Sequence, residues 1–268
     1  VAEPKEIRLG TSGYSFLDWV GPFYPEGIPK GNMLDFYVKS FDTVEINSSY
    51  YSIPHFKVFE NMEKKTPPGF VFMVKGHKSL THERSDVLGP VNRFVESIRP
   101  LRAAGKLKGV LLQFPYSFRW SQKNQTYILR VRDLLDGFDV YIEFRHRGWI
   151  RDDILLQLEQ HKLSVCSVDC PQIDSLPRPL LLQSSKNVYV RLHGRNAEHW
   201  WKGGSLRYDY LYSEKQLTDW ISKIRDSKRP IQNAYLFFNN CHLGQAVQNA
   251  KMMMGLLGLG WDAERSGS

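Results

Sequence analysis

The chain alternates between two kinds of segment, and that alternation restricts its fold more than any single motif. Eight short runs rich in β-branched and aromatic residues recur along it: "IRLGTSGY", "TVEINSSY", "FVFMVKGH", "GVLLQFP", "VYIEFRH", "SVCSVDC", "VYVRLHGR" and "AYLFFNNC". Runs of this composition suit buried strands. Most are followed by stretches with apolar residues three and four apart, the spacing of an amphipathic helix. These are "GNMLDFYVKSF", "HFKVFENMEKK", "VNRFVESIRPLRAAGK", "NQTYILRVRDLLDG", "DDILLQLEQHK", "SEKQLTDWISKIRDS" and "GQAVQNAKMMMGLLG". Only "PQIDSLPRPLLLQSSK", after the sixth run, is poor in helix signal, and it carries three prolines.

Strand and helix alternating eight times predict an α/β fold, a single (β/α)8 TIM-type barrel, with long loops after strands 1, 6 and 7. An open doubly wound sheet is the alternative. It usually carries G-x-G-x-x-G after its first strand, a pattern that "GTSGYS" does not match. No linker shows a shift in composition, so residues 1–258 read as one domain, with 259–268 a disordered tail or a non-native remnant. No apolar stretch reaches the roughly 18–20 residues that span a bilayer, and the N-terminus lacks a hydrophobic signal core. The three cysteines, Cys166, Cys170 and Cys241, have no zinc-type spacing and read as buried free thiols of a cytoplasmic protein.

Alternation along the strands locates a site. Side chains on a strand point to opposite faces in turn. If the aliphatic residues face the helices, then Glu45 and Asn47, Lys75 and His77, Gln113, Glu143 and Arg145, Asp169, and Arg191 and His193 face the barrel interior. In the last strand either Asn239 or Asn240 does so. These groups lie near strand C-termini, where barrels of this kind carry their active sites. A buried unpaired charge costs several kcal/mol, so the groups must pair with each other or with a ligand. A satisfied ion-pair network, such as Glu143 with Arg191 or Asp169 with Arg145, is the plain structural reading. Three acids, three bases and two histidines at one mouth exceed what packing requires.

The same groups limit the chemistry. Glu45, Glu143, Asp169, His77 and His193 offer ligands for a divalent metal. Lys75, Arg145 and Arg191 oppose a cation in that space, which ranks anion binding above metal binding. Glu143 and Glu45 are candidates for general acid and base. Lys75 is a candidate for Schiff-base chemistry if desolvated, though its sequence context does not select this over anion binding. The loops add aromatic residues beside basic ones: Tyr14, Phe16, Trp19, Phe23 and Tyr24 after the first strand, and Trp200, Trp201, Tyr208, Tyr210 and Tyr212 after the seventh. Such residues stack on bases or sugars, or simply anchor long loops. The net charge of +8 and pI of about 9.3 favour phosphate-bearing partners, including nucleic acid, though no long Lys/Arg run exists.

Seven stretches, "GTSGYSFLDWVGPFYPEG", "FDTVEINSSYYSIP", "LLQFPYSF", "YIEFRHRGW", "VYVRLHGRN", "YDYLYSEKQL" and "FFNNCHLGQAVQNA", occur in the order and spacing of a known family. From about Ile7 to about Leu256 the chain resembles the domain-of-unknown-function-72 family, the YecE-like proteins. The resemblance implies a TIM-type barrel in a cytoplasmic protein and carries no established activity. The family's barrel has been likened to endonuclease IV-type and xylose-isomerase-type enzymes, an analogy of fold. Endonuclease IV-type sites gather several His, Asp and Glu ligands around three zinc ions. The arginines among the acids here fit such a site poorly.

Three functions follow as expectations. The first is an enzyme acting on a phosphate-bearing or anionic substrate by acid/base chemistry. In it Glu143 is the acid or base, held by Arg145, while Arg191 and Lys75 clamp the anion. His193 is a second proton-transfer group, with Glu45 and Asp169 as further catalytic candidates. His77, Gln113, Asn47, Asn239, Asn240, Trp200 and Trp201 are candidates for binding substrate. The second is a carbohydrate-acting hydrolase using Glu45 and Glu143 as paired carboxylates. The third is a non-catalytic protein that captures a small anion or metabolite.

Overall fold

The structure is a computed structural model and describes residues 4–259. Of the expected tail, residues 260–268 lie outside the described residues. The first strands are β1 (Glu6–Thr11), β2 (Thr43–Ile46), β3 (Val71–Lys75), β4 (Leu107–Gln113) and β5 (Val140–Glu143). They are followed by β6 (Leu163–Val165), β7 (Ser167–Asp169), β8 (Asn187–Leu192) and β9 (Asn233–Phe238). Helices α1 (Met33–Tyr37), α2 (Phe56–Lys64), α3 (Leu88–Ala103), α4 (Gln122–Leu134), α5 (Asp152–Gln160), α6 (Glu214–Arg225) and α7 (Gln245–Leu256) alternate with them. All strand pairs are parallel, in the orders β2-β3-β4-β5-β6 and β1-β9-β8-β7. This is the TIM-type α/β arrangement.

The eight expected strands become nine because the sixth is divided at Cys166: β6 pairs with β5, and β7 pairs with β8. Chain continuity joins the two sheets there. At the other seam Ser12 bridges Glu45, and the Gly13 amide donates to the Glu45 carbonyl at 2.8 Å. Gly10 permits this approach. A Cβ on it would stand 2.4 Å from the Thr43 carbonyl oxygen, a backbone atom with little room to retreat.

Two apolar groups match the two faces of the strands. Leu9, Val44, Ile46, Val74, Val110, Ile142, Val190, Leu192 and Leu236 pack with the helices. Val71, Met73, Leu111, Tyr141, Val168, Tyr189, Tyr235 and Phe237 form a separate cluster inside the strands. Alternation produces this two-sided burial. The helices are capped where the sequence allows. Ser121 accepts from the Asn124 amide at the start of α4, and Ser213 with Gln216 forms a capping box on α6. On α6, Leu217, Trp220, Ile221 and Ile224 recur at helical spacing and are buried. No helix lies between β7 and β8 among the described residues, as the proline-rich sequence there predicts. Nor, among those residues, is any helix long and apolar enough to cross a membrane.

Substituting Gly10→Ala should cost about 1–3 kcal/mol of stability, the usual cost of overpacking. Urea unfolding measures it. An unchanged midpoint would show that β1 and β2 do not approach this closely.

Candidate functional site

Above the apolar interior sits a polar layer, and its centre is Arg191. This guanidinium is 1% exposed, while Glu45 and Glu143 are fully buried. Arg191 Nη1 donates to Glu143 Oε2 at 2.5 Å, and Nη2 donates to Glu45 Oε1 at 2.6 Å. One cation from β8 therefore ties together carboxylates from β2 and β5. The Tyr189 hydroxyl takes the other Glu45 oxygen, Oε2. Below this layer Tyr189 packs against Tyr141 and Phe237, with ring centroids 5.0 and 5.3 Å apart, which keeps water from the underside.

Glu143 Oε1 has two further neighbours. Arg145 Nε lies 2.5 Å away, but its N–H is not aimed at the oxygen, so the contact is mainly one of charge. His193 Nε2 lies at 3.1 Å. Burial opposes ionisation of Glu143, yet Arg145, Arg191 and His193 outweigh it and hold the carboxyl well below its usual range. Burial first, and then Arg145, lower the His193 pKa to about 3, so the ring is neutral. Its partners assign the tautomer: Nε2 donates to the ionised Glu143, and Nδ1 accepts from Asn239 Nδ2 at 2.9 Å.

Over this locked layer opens a cavity of about 310 Å³ at the C-terminal mouth. Its cations are Lys75, Arg145 and Arg207, and its aromatic walls include Tyr50, Tyr51, Tyr116, Trp200, Trp201 and Tyr208. No carboxylate is among its lining residues. Lys75 Nζ donates to Gln113 Oε1 at 2.9 Å and stands 4.3 Å from the Tyr50 ring centre. Burial, reinforced by Arg191, lowers its pKa to about 7, although Glu143 and Glu45 pull the other way. His82, also on the wall, is pushed down to about 4 by burial and then by Lys75. Trp200, in the loop after β8, is buried, with Arg145 at 5.5 Å and Arg207 at 5.6 Å from its ring centre. Trp201 is exposed and meets Tyr116 edge-on at 4.8 Å.

The expected residues divide accordingly. Glu45, Glu143, Arg145, Arg191, His193 and Asn239 join in one network, and Lys75, Gln113, Arg145, Trp200 and Trp201 line the cavity above it. Asp169 does not join them. It faces the helices, where its carboxylate accepts from Arg195 Nε and Nη2 at 2.7 and 2.6 Å. The Tyr212 hydroxyl at 3.0 Å and Trp220 Nε1 at 2.7 Å complete its shell. The expectation of an inward Asp169 is thus corrected: Val168, not Asp169, occupies the interior face. Asn240 likewise turns outward, donating to the Tyr210 carbonyl and to Asn249 of α7. Asn47 and His77 lie beyond the ends of β2 and β3, where alternation stops. Asn47 lines a separate hollow with Tyr14, Phe16 and Tyr51, and His77 bonds to Ser79 at 2.8 Å.

The first-loop aromatics pack as anchors: Trp19 is buried and donates to the Cys241 carbonyl at 2.7 Å, and Tyr24 donates to Tyr14. All three cysteines are free and buried. Among the described residues, no three His, Cys, Asp or Glu side chains gather in a metal-holding arrangement. The carboxylate oxygens nearest the mouth are already spent on Arg191, Tyr189 and His193. Sequence reasoning did not single out Arg207, Tyr50, Tyr116 or His82. Arg207 lies in a loop whose aromatic and basic content was visible and Tyr50 in the aromatic stretch "SSYYSIP", while Tyr116 and His82 follow strand ends and carried no periodic signal.

Fold and site together define a TIM-type protein with a cationic, aromatic-walled mouth above a neutralised polar layer. The chain belongs to the DUF72 family, described as a protein of unknown function, which matches residues 8–266. It is 30% identical to the UPF0759 protein YunF of Bacillus subtilis, over 97% of this chain and 96% of that protein. A DUF72 family crystal structure from Thermotoga maritima superposes with a TM-score of 0.87 at 36% identity, covering 94% of this chain and 99% of that one. One from Enterococcus faecalis gives 0.83 at 25% identity, covering 96% and 97%.

The lock on Glu143 has a pH consequence. Its folded pKa lies below the ordinary 4.5. The stability it contributes is therefore complete above about pH 4.5 and is lost as pH falls through the folded value. Glu143→Gln should cost about 3 kcal/mol at neutral pH, because Arg191 and Arg145 lose a buried counter-charge. The variant should also lose less stability than the wild type below pH 4.5. Denaturant unfolding at pH 7 and across the acid range reads both effects, and equal acid slopes would refute the lock.

Proposed function

We propose that the barrel mouth binds a small anionic molecule, most suitably a phosphate-bearing one, and that Lys75 is the group there able to exchange a proton near neutral pH. The observation that carries this reading is the charge of the cavity wall: Lys75, Arg145 and Arg207, with no carboxylate among them. Counting the layer beneath, three guanidiniums (Arg145, Arg191, Arg207) stand against two carboxylates (Glu45, Glu143), before Lys75 is added. The excess is positive. Among the described residues Arg207 has no carboxylate partner, and its Nε is buried without an acceptor. An anion would satisfy it. Guanidinium donors suit phosphate oxygens, and the tyrosine and tryptophan walls suit a planar group attached to the phosphate.

The cavity volume is at the small end of ligand sites, which run from roughly 300 to 1,000 Å³. That favours a metabolite over a nucleic-acid duplex. The proton-transfer roles expected of Glu143, Glu45 and His193 are less well supported. Glu143 is ionised beneath the cavity, Glu45 is closed off by Arg191 and Tyr189, and both nitrogens of His193 are engaged. For the same reason paired-carboxylate glycoside chemistry finds little support, since both carboxylates share one guanidinium. In this reading the layer holds Arg145 in place, while burial first, and then Arg191, make Lys75 a weak base.

Calorimetric titration with inorganic phosphate at low ionic strength should show one site per chain. Arg207→Gln should weaken it about tenfold, the loss of one charge-assisted contact. With sulfate, whose charge is constant over this range, affinity should fall as pH rises through about 7, where Lys75 loses its proton. Absence of binding, or binding unaffected by Arg207→Gln, would overturn the proposal.

A further inference from the structure

We infer that the cavity captures a carbonyl compound covalently: the Lys75 amine condenses with the aldehyde or ketone of a small anion whose charged group rests on Arg145 and Arg207. This inference rests on the anion-binding reading above and deepens it by naming the reactive class of ligand.

The geometry separates Lys75 from an ordinary anion anchor. It ends β3 at the C-terminal rim, and Nζ reaches the same cavity that Arg145 and Arg207 line. Its hydrogen-bond acceptor is the neutral Gln113 Oε1, at 2.9 Å, and no carboxylate lies within ion-pair distance of it among the described residues. The Gln113 amide is itself oriented, because its Nε2 donates to the Phe114 carbonyl at 2.8 Å. The acceptor therefore holds one N–H of the amine in a set direction. Burial first, and then Arg191, favour the free amine over the ammonium, and a lysine desolvated beside other cations is an activated nucleophile. With a pKa of about 7, roughly half the Lys75 population is free amine at neutral pH, against about one in several thousand for an ordinary lysine.

The step balances without an oxidant or reductant. The nitrogen lone pair forms a bond to the carbonyl carbon, and the C=O π pair moves onto oxygen, which gains a proton while nitrogen loses one. The carbinolamine then loses its hydroxyl with a proton as water, leaving a C=N bond to Lys75. One amine and one carbonyl give one imine and one water. The ligand's negative group offsets the positive wall, so the wall selects anionic carbonyl compounds over neutral ones.

The test uses the full chain with glycolaldehyde phosphate and cyanoborohydride at pH 7, followed by peptide mass spectrometry, with phosphate binding measured on the same preparation. The inference predicts reduced adduct on Lys75 at least about tenfold above any other lysine. Lys223 is the internal comparison. It too has a lowered pKa, but it sits on α6 over Trp220, outside the cavity lining. Lys75→Arg should abolish the selective adduct, and inorganic phosphate should compete it away. Adduct spread evenly over surface lysines while phosphate still binds would overturn the imine and leave the anion site standing. Selective labelling of Lys75 that neutral glycolaldehyde matches and phosphate does not compete would overturn the anion site instead. Neither labelling nor phosphate binding would overturn both.

Discussion

A single guanidinium organises the mouth of this barrel. Arg191 is buried, and its two terminal nitrogens each bond a different buried carboxylate. Taken alone, any of the three groups would be costly to bury. Together they offset one another, and Tyr189, His193 and Arg145 complete the shell. The arrangement spans β2, β5 and β8, so it forms only when strands distant in sequence have met. It acts as a registry device as well as a neutral floor for the cavity. A one-residue slip in β8 would carry Arg191 to the helix face, leaving Glu45 without its guanidinium and Glu143 with Arg145 alone.

That floor shapes the chemistry above it. The acids are ionised or closed off below, while Arg145 reaches from the network into the cavity and Arg207 closes on Trp200 from the loop after β8. Lys75 is buried above that floor, with Arg191 and Arg145 set against Glu143 and Glu45 and with a neutral acceptor in Gln113. The polar groups thus form two tiers: a lower one whose charges are paired with one another, and an upper one whose cations face no carboxylate across the cavity. Buried Arg207 Nε, without an acceptor of its own, belongs to the upper tier.

Much of this was legible in the sequence. Where aliphatic residues alternate strictly with polar ones, as around Glu45, Glu143 and Arg191, the inward face can be read directly. The rule fails in "SVCSVDC" because the barrel interior is also apolar. Val165 and Val168 are three apart and must occupy opposite faces, so sending both outward misplaces Asp169. Past the strand ends alternation carries no information, which is why Asn47 and His77 fell elsewhere. Helix positions were clear from spacing, except that α1 is only five residues long, where a longer helix was expected. Nothing local to Tyr116 or Arg207 revealed that they would meet over one cavity, since only the closed arrangement of strands brings those loops together.

The central claim is that Glu143 is held ionised by its two arginines. Carbon-13 NMR of glutamate-labelled protein, with Glu143→Gln for assignment, tests it directly by titrating the carboxyl resonance from neutral pH into acid. The account predicts that this resonance keeps its ionised position well below pH 4.5, the ordinary carboxyl midpoint. A midpoint at or above 4.5 would contradict it, because burial would then have outweighed Arg191 and Arg145.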